Sequence, residues 1–177
     1  MAFIWGMTFI WMKQALTAAD SVLPEADGKW VAMHFVAGRF LIGSMSTVIF
    51  LRASRSGFRD KEVWMGGGTL GLILILGFLI QMIGLTGVTP AVSAFLTSLY
   101  VVFTAVIGVA IGRQRFTAFM FAGVVLATFG AGWISGPPRV EFGKGEWLTV
   151  ASGFLFALHI IFTDRVTRVV DPIQSTG

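Results

Sequence analysis

Apolar residues run through this chain in six long blocks separated by short polar punctuation, and the blocks are too long and too continuous for strands or soluble amphipathic helices. A crossing needs about 20 apolar residues. That length predicts membrane spans over 2–19, 30–51, 63–85, 90–112, 116–135 and 147–162. The fold class is therefore all-α membrane, a polytopic helical bundle. Short connections make successive helices antiparallel neighbours, and the few residues between spans three and four predict a tight hairpin.

Span four departs most from plain greasiness. Pro90 suits the first turn of a helix, which makes Thr89 the natural N-cap. At about 100° per residue, Thr89, Ser93, Thr97, Tyr100, Thr104 and Gly108 share one arc of the helix. Lipid cannot satisfy hydroxyls, so this stripe must face protein or water, toward spans one, three and six. It either packs helices, with Ser and Thr bonding their own i−4 carbonyls, or lines a pathway. Gln81, a buried amide in span three, also needs a partner, on another helix or on a solute path. Gly77 and Gly84 flank it, and Gly123, Ala127, Gly130 and Ala131 in span five likewise mark places for close helix approach. Gly136 to Arg139, GPPR, stops span five, because neither proline can continue a helix.

Composition agrees with the pattern: 55% of residues are hydrophobic and only 12% charged, and the mean hydropathy is +0.82. The basic pI of about 10.1 does not imply a nucleic-acid partner, since the basic residues are scattered through short loops instead of forming one face. With no cysteine, disulfides and thiolate metal sites are excluded within the chain. The apolar start has no basic n-region or cleavage site and reads as a span.

Loop charge orients the bundle. Arg52, Arg55, Arg59 and Lys61 follow span two, Arg113 and Arg115 follow span four, and Arg165 and Arg168 follow span six. The other side carries Lys29, Arg139 and Lys144 against five acids, so the N-terminus is expected to be cytoplasmic. Trp30, Trp64, Trp133 and Trp147 near span ends fit an interfacial belt.

All nine acids lie in loops or at helix ends, whereas two basic residues fall inside spans. Arg39 lies roughly 14 Å beyond Trp30 at about 1.5 Å per residue, near the bilayer middle. A charge there costs at least about 2.5 kcal/mol on the insertion scale. Two readings stand: a clamp on backbone carbonyls, or a ligand for a carboxylate or phosphate. Lys13 either snorkels to the headgroups or turns inward beside Arg39 to line a cavity favouring anionic or zwitterionic solutes. His34 reads as interfacial. His159, deep in span six, is a packing histidine or a proton-coupling group. Enzyme signatures are missing: there is no HExxH, Walker loop, GxSxG or acid pair, so no catalytic residue, metal site or cofactor is expected.

Phe156-Ala157 in span six echoes Trp5-Gly6 in span one. Five helices separate them, and an odd number turns a second copy upside down, as in inverted-repeat transporters. The expected division is a five-helix repeat over 1–136 and the start of a second over 137–177, with the chain part of something longer.

Several of these pieces in order resemble one family: Trp5-Gly6 with Lys13, Arg39-Phe40-Leu41, Gly84-Leu85 with Thr89 to Leu99 (TPAVSAFLTSL), and Arg115-Phe116-Thr117 leading to Gly123 and Gly130. Together they resemble the EamA-type ten-helix permeases of the drug/metabolite transporter superfamily. The resemblance implies two inverted five-helix repeats around a central cavity that carries metabolites by alternating access. Val101 stands where the family usually has a proline, which leads to the expectation of a straighter span four. Gln114 replaces a usual Glu. Span one lacks the glutamate of the related four-helix multidrug exporters, which disfavours export of cationic drugs by their mechanism. The expected partners are a small-molecule solute, the lipid bilayer, and either four further helices or a second copy of the chain. A non-transporting membrane scaffold remains the alternative from another functional class.

Overall fold

In the computed structural model the described residues are 2–50, 61–112, 117–134 and 143–168, with the side chains of 2–6, 127, 128 and 130–134 left aside. The readings placed on Arg52, Arg55, Arg59, Arg113, Gln114, Arg115, Trp133, Ala127, Gly130, Ala131, the 136–139 turn and the Trp5-Gly6 echo lie outside them.

Among the described residues seven helices follow in order: α1 Ala2–Val22, α2 Gly28–Phe50, α3 Lys61–Gly87, α4 Pro90–Ser98, α5 Tyr100–Ala110, α6 Ala118–Ile134 and α7 Lys144–Val166. Among the described residues four stretches are long and apolar enough to cross a membrane: α2, α3, α4 with α5 as one span, and α7. The all-α polytopic class is therefore confirmed.

Local chemistry sets the helix starts. Asp27 Oδ1 accepts the Lys29 N–H at 3.0 Å where α2 begins, and Thr117 Oγ1 accepts the Met120 N–H at 3.2 Å at the head of α6. Thr89 caps α4 by accepting the Val92 N–H at 3.3 Å, with Pro90 in the first turn, as the sequence predicts. Gly112, at φ +68°, ends α5 in the left-handed conformation that a Cβ would strain.

α3 and α7 form the most extensive interface, and α7 also packs on α4 and α5. The two run antiparallel. A Cβ built on Gly66 would meet Val166, one on Gly77 would lie 2.9 Å from the Phe156 ring, and one on Gly84 would lie 2.8 Å from Thr149 Oγ1 and 2.9 Å from the Gly145 carbonyl oxygen. From the other side, a Cβ on Gly145 would lie 3.0 Å from the Gly84 carbonyl oxygen. Glycine on both helices brings the backbones together, because dispersion between closely packed surfaces replaces the missing hydrophobic drive in lipid. The packing role read for Gly77 and Gly84 is thus present. Gly123 differs: a Cβ there would meet nothing within 4 Å, because it borders an open groove.

Span four is two consecutive helices, with Val101 in the second. It breaks at Leu99, between α4 and α5. Ser98 Oγ donates to the Phe95 carbonyl at 2.6 Å, the acceptor that the Leu99 N–H would use in an α-helix. Leu99 N–H turns instead to the Leu96 carbonyl at 3.3 Å. A hydroxyl competing for a helix carbonyl is enough to tighten the local turn.

Gly84→Ala is expected to lower stability by about 1–3 kcal/mol, since the clash falls on backbone that cannot move aside. Gly38→Ala, where a Cβ meets open space, should leave the melting temperature unchanged. Detergent melting curves of the two variants decide it, and equal curves would remove the close-packing account of the seam.

Candidate functional site

Five polar side chains are buried among the described residues: Gln81 on α3, Ser93 and Thr97 on α4, and Thr149 and Ser152 on α7. Their helices meet at one junction. Gln81 Nε2 donates to Thr97 Oγ1 at 2.9 Å. A Cβ on Gly153 of α7 would lie 3.2 Å from the Thr97 carbonyl oxygen, and Thr149 sits against Gly84, one turn from Gln81. Thr149 and Ser152 donate back into their own helix, to the carbonyls of Gly145 and Thr149. The hydroxyl stripe of α4 therefore faces the bundle, with α1, α3 and α7 around it.

The stripe divides between the two roles open to it. Thr104 bonds its own Tyr100 carbonyl at 2.7 Å, whereas Thr97 reaches across to another helix. Gln81 Oε1 and Ser93 Oγ are buried without a hydrogen-bond partner, an arrangement that costs about 1–3 kcal/mol per group. Below the Leu99 break, Tyr100 and Thr104 line an open groove of about 430 Å³ between α5, α6 and α7, with Met120, Gly123 and Ile160 among its walls. The stripe thus runs from a closed polar junction to an open, mainly apolar groove.

The other candidates attach to α3 at successive heights. Lys13 neither snorkels nor joins Arg39. Its ammonium donates to the carbonyls of Leu85 at 2.8 Å, Thr86 at 3.3 Å and Val88 at 3.2 Å. The Arg39 guanidinium lies over the Phe78 ring, 4.4 Å from its centroid, a cation–π contact. Phe78 meets Phe40 and Phe156 edge-on at 5.6 and 5.1 Å. His159 Nδ1 donates to the Leu70 carbonyl at 3.2 Å, tying α7 to α3. His34 sits exposed near the start of α2, its Nδ1 2.9 Å from the Trp30 carbonyl oxygen and its ring 3.7 Å from the Trp30 ring.

Gln81, Ser93 and Thr97 come together, then, while Lys13, Arg39, Tyr100 and His159 each have separate surroundings. Phe78 escaped the sequence reading. Its position three residues before Gln81, on the same side of α3, is the signal that pointed to it.

Residues 1–136 match the EamA-like transporter family, and the chain belongs to that family. It is also 30% identical over 171 residues to an uncharacterized transporter of Archaeoglobus fulgidus, an alignment covering 97% of this chain and 49% of the relative. The chain spans about half the length of that relative. No solved structure matches it. Family and apolar helices together mark the chain as a multi-pass membrane protein of a transporter family.

Thr97→Val should cost about 1–3 kcal/mol by stripping Gln81 Nε2 of its acceptor, whereas Ser93→Ala, which removes an unpartnered hydroxyl, should be neutral or stabilising. Thermal unfolding of the pair checks the junction; a strongly destabilised Ser93→Ala protein would mean that Ser93 does have a partner.

Proposed function

We propose that this chain is the first repeat, and the opening helix of the second, of a carrier that moves small anionic or zwitterionic metabolites, amino-acid-like solutes among them, by alternating access. The supporting observation is Arg39. Among the described residues no hydrogen bond or ion pair reaches its guanidinium; it lies in the middle of α2 against the face of the Phe78 ring. A clamp would need carbonyl acceptors, and an aromatic face leaves the guanidinium N–H edge directed outward, where planar donors suit a carboxylate or phosphate. A midspan charge in this setting is by default a functional group.

The stripe and the groove support the same reading as polar footing inside an apolar bundle. Four further helices of a longer chain, or a second copy, complete the cavity. The reading places the carrier in the plasma membrane or a bacterial inner membrane with the N-terminus cytoplasmic, on the strength of the basic loops.

Solute profiling of a deletion strain with and without the full-length gene identifies the cargo. With cargo in hand, Arg39→Gln should weaken binding about tenfold to a hundredfold, as loss of a charged hydrogen bond implies, at unchanged yield of folded protein. Unchanged affinity with a reduced folding yield would make Arg39 a structural clamp and remove the anionic-solute assignment.

A further inference from the structure

The α3–α4 hairpin carries an acceptor cluster created by its own sequence. α3 ends at Gly87, where helix carbonyls run out of N–H partners. The Thr86 carbonyl would bond residue 90, but Pro90 has no N–H. The Val88 carbonyl would bond the Val92 N–H, which is given to the Thr89 hydroxyl. Leu85, Thr86 and Val88 therefore turn three carbonyls toward one spot, and the Lys13 ammonium fills it with three donors.

Beneath this tie the contact is apolar. Phe9, Met12 and Leu16 of α1 pack with Met82, Leu85 and Val88, and with Ala32 and Val36 of α2. Such packing is non-directional in its driving force, while three charge-assisted bonds are directional. Lysine is also suited to letting go: its four-carbon stem is flexible, and its released ammonium can reach headgroups.

We propose that Lys13 is a positioning residue that latches the α3–α4 hairpin to α1, and that the transport cycle turns on its release. The tie itself is independent of what is carried; only the transport readout below rests on the carrier reading.

The chain has no cysteine, so Val88→Cys in the full-length, membrane-embedded protein, with any cysteine outside these residues replaced by serine, is a clean reporter of hairpin opening. Val88 is buried, and its maleimide labelling should be slow. Lys13→Met should speed labelling about tenfold, the shift expected from losing at least one hydrogen bond to a charged group, and abolish transport. In Lys13→Ala, added ethylammonium should slow labelling again, a rescue that a misfolded protein would not give. Should these variants fail to fold, acylation of the unaltered protein by an amine-reactive ester, read by mass spectrometry, replaces them. Lys13 should then react about tenfold more slowly than Lys29, again by the loss of hydrogen bonds that reaction requires, and the difference should shrink during turnover. Unchanged labelling in Lys13→Met, equal reactivity of Lys13 and Lys29, or faster labelling with transport intact each overturns the latch. A protein that moves no solute even with Lys13 in place, yet shows the labelling effect, faults the carrier reading and leaves the tie standing.

Discussion

The close approach of α3 to α7 is the constraint on which the rest of the bundle depends. Gly84 and Gly145 meet backbone to backbone, and with side chains larger than hydrogen there, neither Thr149 nor Gly153 would reach its place. Gly153 then brings α7 against Thr97 and the break at Leu99, and Gly77 admits the Phe156 ring that props Phe78 beneath Arg39. One seam of small residues thus sets the polar junction, the aromatic wall under the cation and the position of α7.

Along α3 the polar features follow a sequence of heights. His159 meets the Leu70 carbonyl, Arg39 lies over Phe78, Thr97 meets Gln81, and Lys13 meets the carbonyls that close the helix. Each comes from a different helix, so α3 is the member through which the others sense one another. Where hydrogen bonds are complete, at Lys13, the contact holds position. Where they are incomplete, at Gln81 Oε1, Ser93 Oγ and Arg39, the bundle retains unspent polar capacity inside an apolar setting, which is the kind of place a solute or moving helix can use.

Much of the fold was legible because it follows from length, hydropathy and local chemistry. The helix positions, the Thr89 cap, the inward stripe and the tight packing of Gly77 and Gly84 need no knowledge of distant residues. What escaped depends on partners far away in sequence. Nothing near Lys13 announces carbonyls in the α3–α4 hairpin, and nothing near Arg39 announces a phenylalanine ring in place of an acid. The division at Leu99 rests on Ser98, whose hydroxyl takes the Phe95 carbonyl, a competition that hydropathy alone does not register. Gly123 shows the converse error: a small residue invites close packing but does not compel it.

The extensive packing of α7 on α3 also has a consequence for biogenesis. A ribosome delivers α3 well before α7, at a synthesis rate that leaves a delay on the order of seconds. During that delay the glycine face of α3 has no permanent neighbour, and Gln81 must already be in the membrane. The α4 hairpin, arriving next, brings Thr97 to the amide. The earlier helices can therefore wait in the bilayer with the Gln81 Nε2 donor already paired, and α7 docks into a prepared slot.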